Sequence, residues 1–164
     1  MRERCHKRSS GAKATAAVVL ALLAAGVAAA QTSDTSNTNT IKVDIIGLRS
    51  NDGEVHCALY SSADGFSDGF AKAAKTTTAK ITNQQAVCEF APVTPGDYAI
   101  SVFQDENSNG KLDRNFMGIP KEGVGASNDA KGSFGPPKFV DARFSYRGGP
   151  QELTIHLQYL LAPL

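Results

Sequence analysis

The feature that most constrains this chain is a period of two. Beyond its first forty residues, apolar side chains recur at alternate positions in short stretches broken by turn formers. Val55, Cys57 and Leu59 share one side of such a stretch, and so do Ala86, Cys88 and Phe90. Leu153, Ile155, Leu157 and Tyr159 alternate in the same way. Successive side chains of a strand point to opposite faces, so this pattern marks strands that turn one face to a core. Strands are expected at residues 41–48, 54–61, 76–82, 86–93, 98–104, 139–146 and 153–159. Gly-, Pro- and Asn-bearing segments separate them, and the first two strands are expected to pair as a hairpin. Residues 63–75 break the alternation. There Phe66, Phe70 and Ala73 recur at helical spacing, with Ser67 or Asp68 placed to cap one short helix. About seven short strands without long helices between them imply an all-β fold: a single antiparallel β-sandwich with one short helix and a long loop, residues 105–138.

The first thirty residues follow a different logic. Arg2, Arg4, Lys7, Arg8 and Lys13 precede an apolar, Ala-rich run at 14–27, which ends in Ala28-Ala29-Ala30. A basic start, a short apolar segment and small residues at the end describe a secretory signal peptide, with cleavage expected after Ala30. Residues 31–40 are wholly polar and read as a tether, leaving 41–164 as the β-sandwich domain. A periplasmic or secreted location is expected, without a stable membrane span after cleavage. The leader holds five of the 17 basic and one of the 16 acidic residues, so the remainder has 12 and 15 and a net charge of −3. Such a chain has no general attraction for nucleic acid or anionic lipid.

Two cysteines remain after the leader, Cys57 and Cys88, each on the apolar side of its strand. An even pair in an exported protein is expected to form a disulfide. Separate buried thiols are the alternative reading.

The loop at 105–138 is long for a compact domain, and such loops are usually functional, metal-organised or disordered. It opens as Asp105-Glu-Asn-Ser-Asn-Gly-Lys-Leu-Asp113, which fits the D-x-D/N-x-D/N-G start of a calcium loop. Asp105, Asn107, Asn109 and Asp113 would supply side-chain oxygens and Lys111 its carbonyl, while Gly110 permits the sharp turn. Phe116 stands at the twelfth position, where a bidentate Glu belongs. The expected affinity for Ca2+ is therefore weak, on the order of 10⁻⁴–10⁻³ M. The competing reading is a metal-free loop whose Asp and Asn side chains bond their own backbone.

Several ordered motifs resemble a family of exported bacterial proteins, the domain of unknown function 2141. They are the hairpin-like segment from Gly53 to Tyr60, the Pro95-Gly-Asp-Tyr98 turn and the loop at 105–113. Gly118-Ile-Pro-Lys-Glu-Gly123, Gly125-Ala-Ser-Asn128 and Phe134-Gly-Pro-Pro-Lys-Phe139 follow. The resemblance covers roughly residues 41 to 160 and implies an exported β-sandwich domain without an established activity. It singles out the 105–139 segment, where Glu122, Phe116 and Pro120 are candidate binding residues. Tyr146-Arg-Gly-Gly149 is similar to the Tyr-Arg-Gly-Ser end of transthyretin-like hydroxyisourate hydrolases, but Gly149 replaces the serine and another strand follows.

No nucleophile elbow, metalloprotease helix or phosphate-binding glycine loop is present, and no catalytic residue is assigned. His56 and His156 fall on the polar sides of their strands and are expected to face solvent. The leading expectation is a non-enzymatic module that uses its 105–138 loop as a recognition surface for a ligand or protein. The second is a periplasmic small-molecule-binding protein or enzyme with a pocket beneath that loop. A concave, Phe-lined cavity with clustered acids favours the second, and a convex loop over a filled core favours the first.

Overall fold

The structure is a computed structural model, and it describes residues 39–66, 69–133 and 135–161. The leader, its cleavage point, most of the tether, the capping candidates Ser67 and Asp68, and Phe134 lie outside the described residues. Among the described residues no helix is long and apolar enough to cross a membrane.

The described chain forms two β-sheets, as the alternation requires. In chain order the strands are β1 (Thr40–Ile46), β2 (Glu54–Tyr60), β3 (Lys75–Lys80), β4 (Ala86–Phe90), β5 (Gly96–Asp105), β6 (Val124–Ala126), β7 (Phe144–Tyr146) and β8 (Pro150–His156). The first sheet has the order β4-β1-β8; the second has the order β3-β2-β5-β6, with β7 also paired to β5. All pairings are antiparallel except β1 with β8, which run parallel. Ile41, Val43 and Ile45 from one sheet meet Val55, Cys57, Leu59, Ile100 and Val102 from the other, and all are buried. This inter-sheet layer is the main core.

β1 and β2 do not form the expected hairpin; they belong to different sheets. Both strands carry an inward apolar row, so the segment between them arches across the core and lays the two rows face to face. A direct crossover of the same kind joins β3 to β4. Asn83 (φ 53°) and Gln84 (φ 58°) both take left-handed backbone in the turn bridged by Thr82 and Gln85. Two consecutive positive φ values are the signature of a tight type I′ turn.

The tether joins the fold one residue early. Thr40 begins β1, while Asn39 accepts hydrogen bonds from the Gly149 N–H at its side chain (2.9 Å) and from the Val93 N–H at its carbonyl (2.8 Å). Residues 139–146 divide into a helical turn, α1 (Phe139–Ala142), and the short β7. Phe139 and Ala142, three apart, share a helical face and pack into a second apolar cluster with Tyr60, Phe66 and Ala99. That packing overrides the local alternation. The helix expected near 63–75 is only a 3₁₀ turn, Phe70–Lys72.

Cys57 of β2 and Cys88 of β4 are joined by a disulfide that crosses from one sheet to the other. On the chain-entropy account, closing a loop of this size stabilises by about 3–4 kcal/mol.

Candidate functional site

The 105–138 segment starts where β5 ends, and its first residue is its anchor. Asp105 is fully buried. Its Oδ1 accepts the Asn109 N–H (3.0 Å) and its Oδ2 the Gly110 N–H (2.6 Å), which folds residues 105–110 back on themselves. Asn107 Oδ1 also accepts the Asn109 N–H (3.1 Å), and Asn109 Oδ1 accepts the Lys111 N–H (2.8 Å). The Asn107 and Asn109 amides donate to opposite oxygens of Asp113, at 2.8 and 3.2 Å. Asp105, Asn107, Asn109, Lys111 and Asp113 are thus brought together, and successive Asx turns account for the order of the loop. The same residues are those that could hold a cation in this loop.

Glu122 pins both ends of the loop. It is only 3% exposed, and its two oxygens accept the N–H groups of Glu106 and Asp113, each at 2.9 Å. Burial pushes its carboxyl above the ordinary 4.5, against the pull of those two N–H donors, and the charges of Asp113 and Asp105 push it further. Its place is in the foundation of the loop. Beneath it, Arg49 makes a two-point ion pair with Glu106 (2.6 and 2.5 Å) and lies over the Tyr159 ring at 4.5 Å. Tyr159 in turn donates to Gln104, whose amide donates to the Asp52 carbonyl at 3.0 Å. No sequence period marks this network, because its members come from four separate segments.

The 105–138 segment is not all loop, since β6 falls within it and pairs with β5; the stretches on either side of β6 line, with β5, a cleft of about 1180 Å³. Its apolar lining includes Phe70, Phe103, Ile119, Pro120, Val124, Pro136 and Pro137. Lys111, Arg114 and Lys131 also line it. Among the described residues none of these three cations has a carboxylate partner; Arg114 donates only to the Gly118 carbonyl, at 3.0 Å. Pro120 therefore lines the cleft, whereas Phe116 is 96% exposed and stands outside it, and Met117 takes its place in the lining. Phe139 packs edge-on to Phe66 and is absorbed by the second cluster. The three-residue β6, with Gly125 at its centre, is too short for its alternation to be read in the sequence.

The two histidines part company. His156 is exposed as expected, with Nδ1 2.8 Å from Asp129 Oδ2. His56 is not: its side chain is 16% exposed and its ring stacks on Phe103 at 4.9 Å with an interplanar angle of 6°. The outer face of β2 is itself covered, by Phe70 among others, so polar alternation there did not mean exposure.

The model of a bacterial family described as an uncharacterised protein conserved in bacteria (DUF2141) matches residues 43–154. The chain belongs to this family. Comparison with curated proteins and with solved structures finds no match. The family's segment takes in all of the loop and most of the cleft lining; Gln158 and Leu160, at one end of the cleft, lie beyond it.

Proposed function

We propose that this protein is an exported, non-enzymatic binding module that takes a small organic anion with an apolar body into the cleft under its 105–138 loop. The observation that carries this reading is the cleft itself, about 1180 Å³, with a largely apolar lining and three cations that have no carboxylate partner among the described residues. Ligand pockets combine mostly apolar walls with a few placed polar groups, and this lining has that composition. The concave form favours a ligand beneath the loop over a partner on a convex surface. The basic and apolar leader supports export. Lys111, Arg114 and Lys131 would meet the anionic end of the ligand, while Phe103, Ile119 and Pro120 would cover its body.

Titration with anilinonaphthalene sulfonate, followed by displacement with decanoate, tests the reading. Saturable binding at one site per chain is expected. The triple charge reversal Lys111→Glu, Arg114→Glu, Lys131→Glu is expected to weaken it by about 10-fold or more, equivalent to ~1.4 kcal/mol. Absence of saturable binding by the folded chain, or equal binding by the triple variant, would remove the proposal.

A further inference from the structure

A second constellation lies at the other face of Asp105. Glu54 and His56 are two residues apart on β2 and so share a face. Asp105 is the register partner of Glu54 across the β2–β5 ladder, which brings its carboxylate to the same place. His56 Nε2 lies 3.0 Å from Glu54 Oε1 and 3.5 Å from Asp105 Oδ2. Yet this nitrogen, fully shielded from solvent, makes no hydrogen bond. The ring is held on every side. Phe103 stacks on it, Phe70 tilts against it with centroids 6.3 Å apart, and Thr78, its register partner on β3, places Oγ1 3.4 Å from Nδ1. If Nδ1–H donates to Thr78, the Nε2 lone pair faces two carboxylates. Three acceptors in one place repel unless positive charge stands among them.

We propose that Glu54, His56 and Asp105 form a binding site for a divalent transition-metal ion of the zinc class. The three ligand atoms lie within 4.8 Å of one another. Bonds of about 2.0–2.1 Å at a tetrahedral angle separate ligand atoms by roughly 3.3 Å, and the two observed separations bracket that value. An imidazole nitrogen with two carboxylates suits zinc-class ions, whereas calcium takes oxygen ligands. A dication also balances the two carboxylate charges. The supporting contacts are those a bound metal needs: Thr78 Oγ1 stands where it can accept an Nδ1–H, and the Asn109 and Gly110 N–H groups fix the Asp105 carboxylate. The Asx turns of the loop thereby hold a ligand of this site. Glu54, whose side chain is 40% exposed, gives the ion its way in. Three protein ligands leave a fourth position for water or an exogenous donor. This inference is independent of the cleft and of its ligand.

The test is a titration of the full chain, stripped of metal, with Co2+ followed by visible absorption and with Zn2+ by calorimetry. One equivalent of each is expected, with Zn2+ displacing Co2+ and Ca2+ in large excess displacing neither. His56→Gln should weaken this binding by about 100-fold or more, and Thr78→Val by about 10-fold; His156→Gln should leave it unchanged. In the wild type, long-range ¹H–¹⁵N spectra should show the Zn2+-induced shift at Nε2 of His56 with Nδ1 still protonated, a reading that does not depend on the variant folding. No stoichiometric Co2+ or Zn2+ binding by the wild type, binding that survives His56→Gln in a folded variant, or a shift confined to His156 or His6 would each overturn the proposal. The charge-reversal variant Lys111→Glu, Arg114→Glu, Lys131→Glu, which replaces none of the three ligands, should keep its Zn2+ binding at His56, so the two proposals fail independently.

Discussion

At the scale of single residues, the base of the loop rests on Gly53, which leaves no room for a Cβ, and on Glu122, which bonds two backbone N–H groups. Gly53 has φ +70°, and a Cβ built on it would stand 1.7 Å from the Asp105 carbonyl oxygen. Gly53→Ala is therefore expected to destabilise the fold by about 2–4 kcal/mol, read by urea denaturation, through left-handed strain and overpacking against backbone. Glu122 carries a different signature. A carboxyl whose folded value is raised contributes stability that is present below its unfolded value and lost as the pH rises through the folded one. The stability of the wild type relative to Glu122→Gln should accordingly fall as the pH rises above the ordinary carboxylate range in paired thermal melts. A difference that stays flat or rises would show that burial does not dominate at this carboxylate. Neither role was legible in the sequence: Gly53 read as part of a turn signal and Glu122 as a candidate ligand-binding acid. Their roles depend on residues some 50 and 16 or fewer positions away, respectively, which spacing alone does not bring together.

At the scale of elements, the alternating strands were legible wherever one face is buried and the other is wet. β4 shows this most plainly, with Ala86, Cys88 and Phe90 buried between exposed Val87 and Glu89. β2 was harder, because it is covered on both faces from Cys57 onward, and His56 takes part in that covering. The Asx loop was legible in its residue types, since Asp and Asn at alternate positions make its turns. Its regular spacing predicts a graded response to mutation. Asn109→Ala removes the acceptor for the Lys111 N–H and a donor to Asp113, and should cost about 1 kcal/mol. The loss should be local, seen as faster amide exchange at residues 107–113 while exchange in β2 and β5 is unchanged. Faster exchange throughout the sandwich would mean that the loop is part of the global folding unit.

At the scale of the whole molecule, the described domain is two sheets held by an apolar layer and one covalent staple. Cys57→Ala with Cys88→Ala should lower the stability by about 3–4 kcal/mol in chemical denaturation while the β-sheet circular dichroism is kept. Loss of under about 1 kcal/mol would show that the unfolded chain is already constrained by other means. The staple was expected from residue parity and the apolar side of each cysteine, and it is found between β2 and β4. Alternation and residue type in the chain carry the all-β class, the position of most strands, the inward rows and the Asp and Asn spacing of the 105–113 loop. Each of these is a local property, set by a period of two or by side chains that bond backbone within five residues. Which strands share a sheet, the parallel pairing of β1 with β8, the cleft lined by the 105–138 segment, and the meeting of Glu54, His56 and Asp105 are settled by packing between distant segments. Those follow from how two apolar faces bury each other, and that choice is made between segments that alternation describes in the same way.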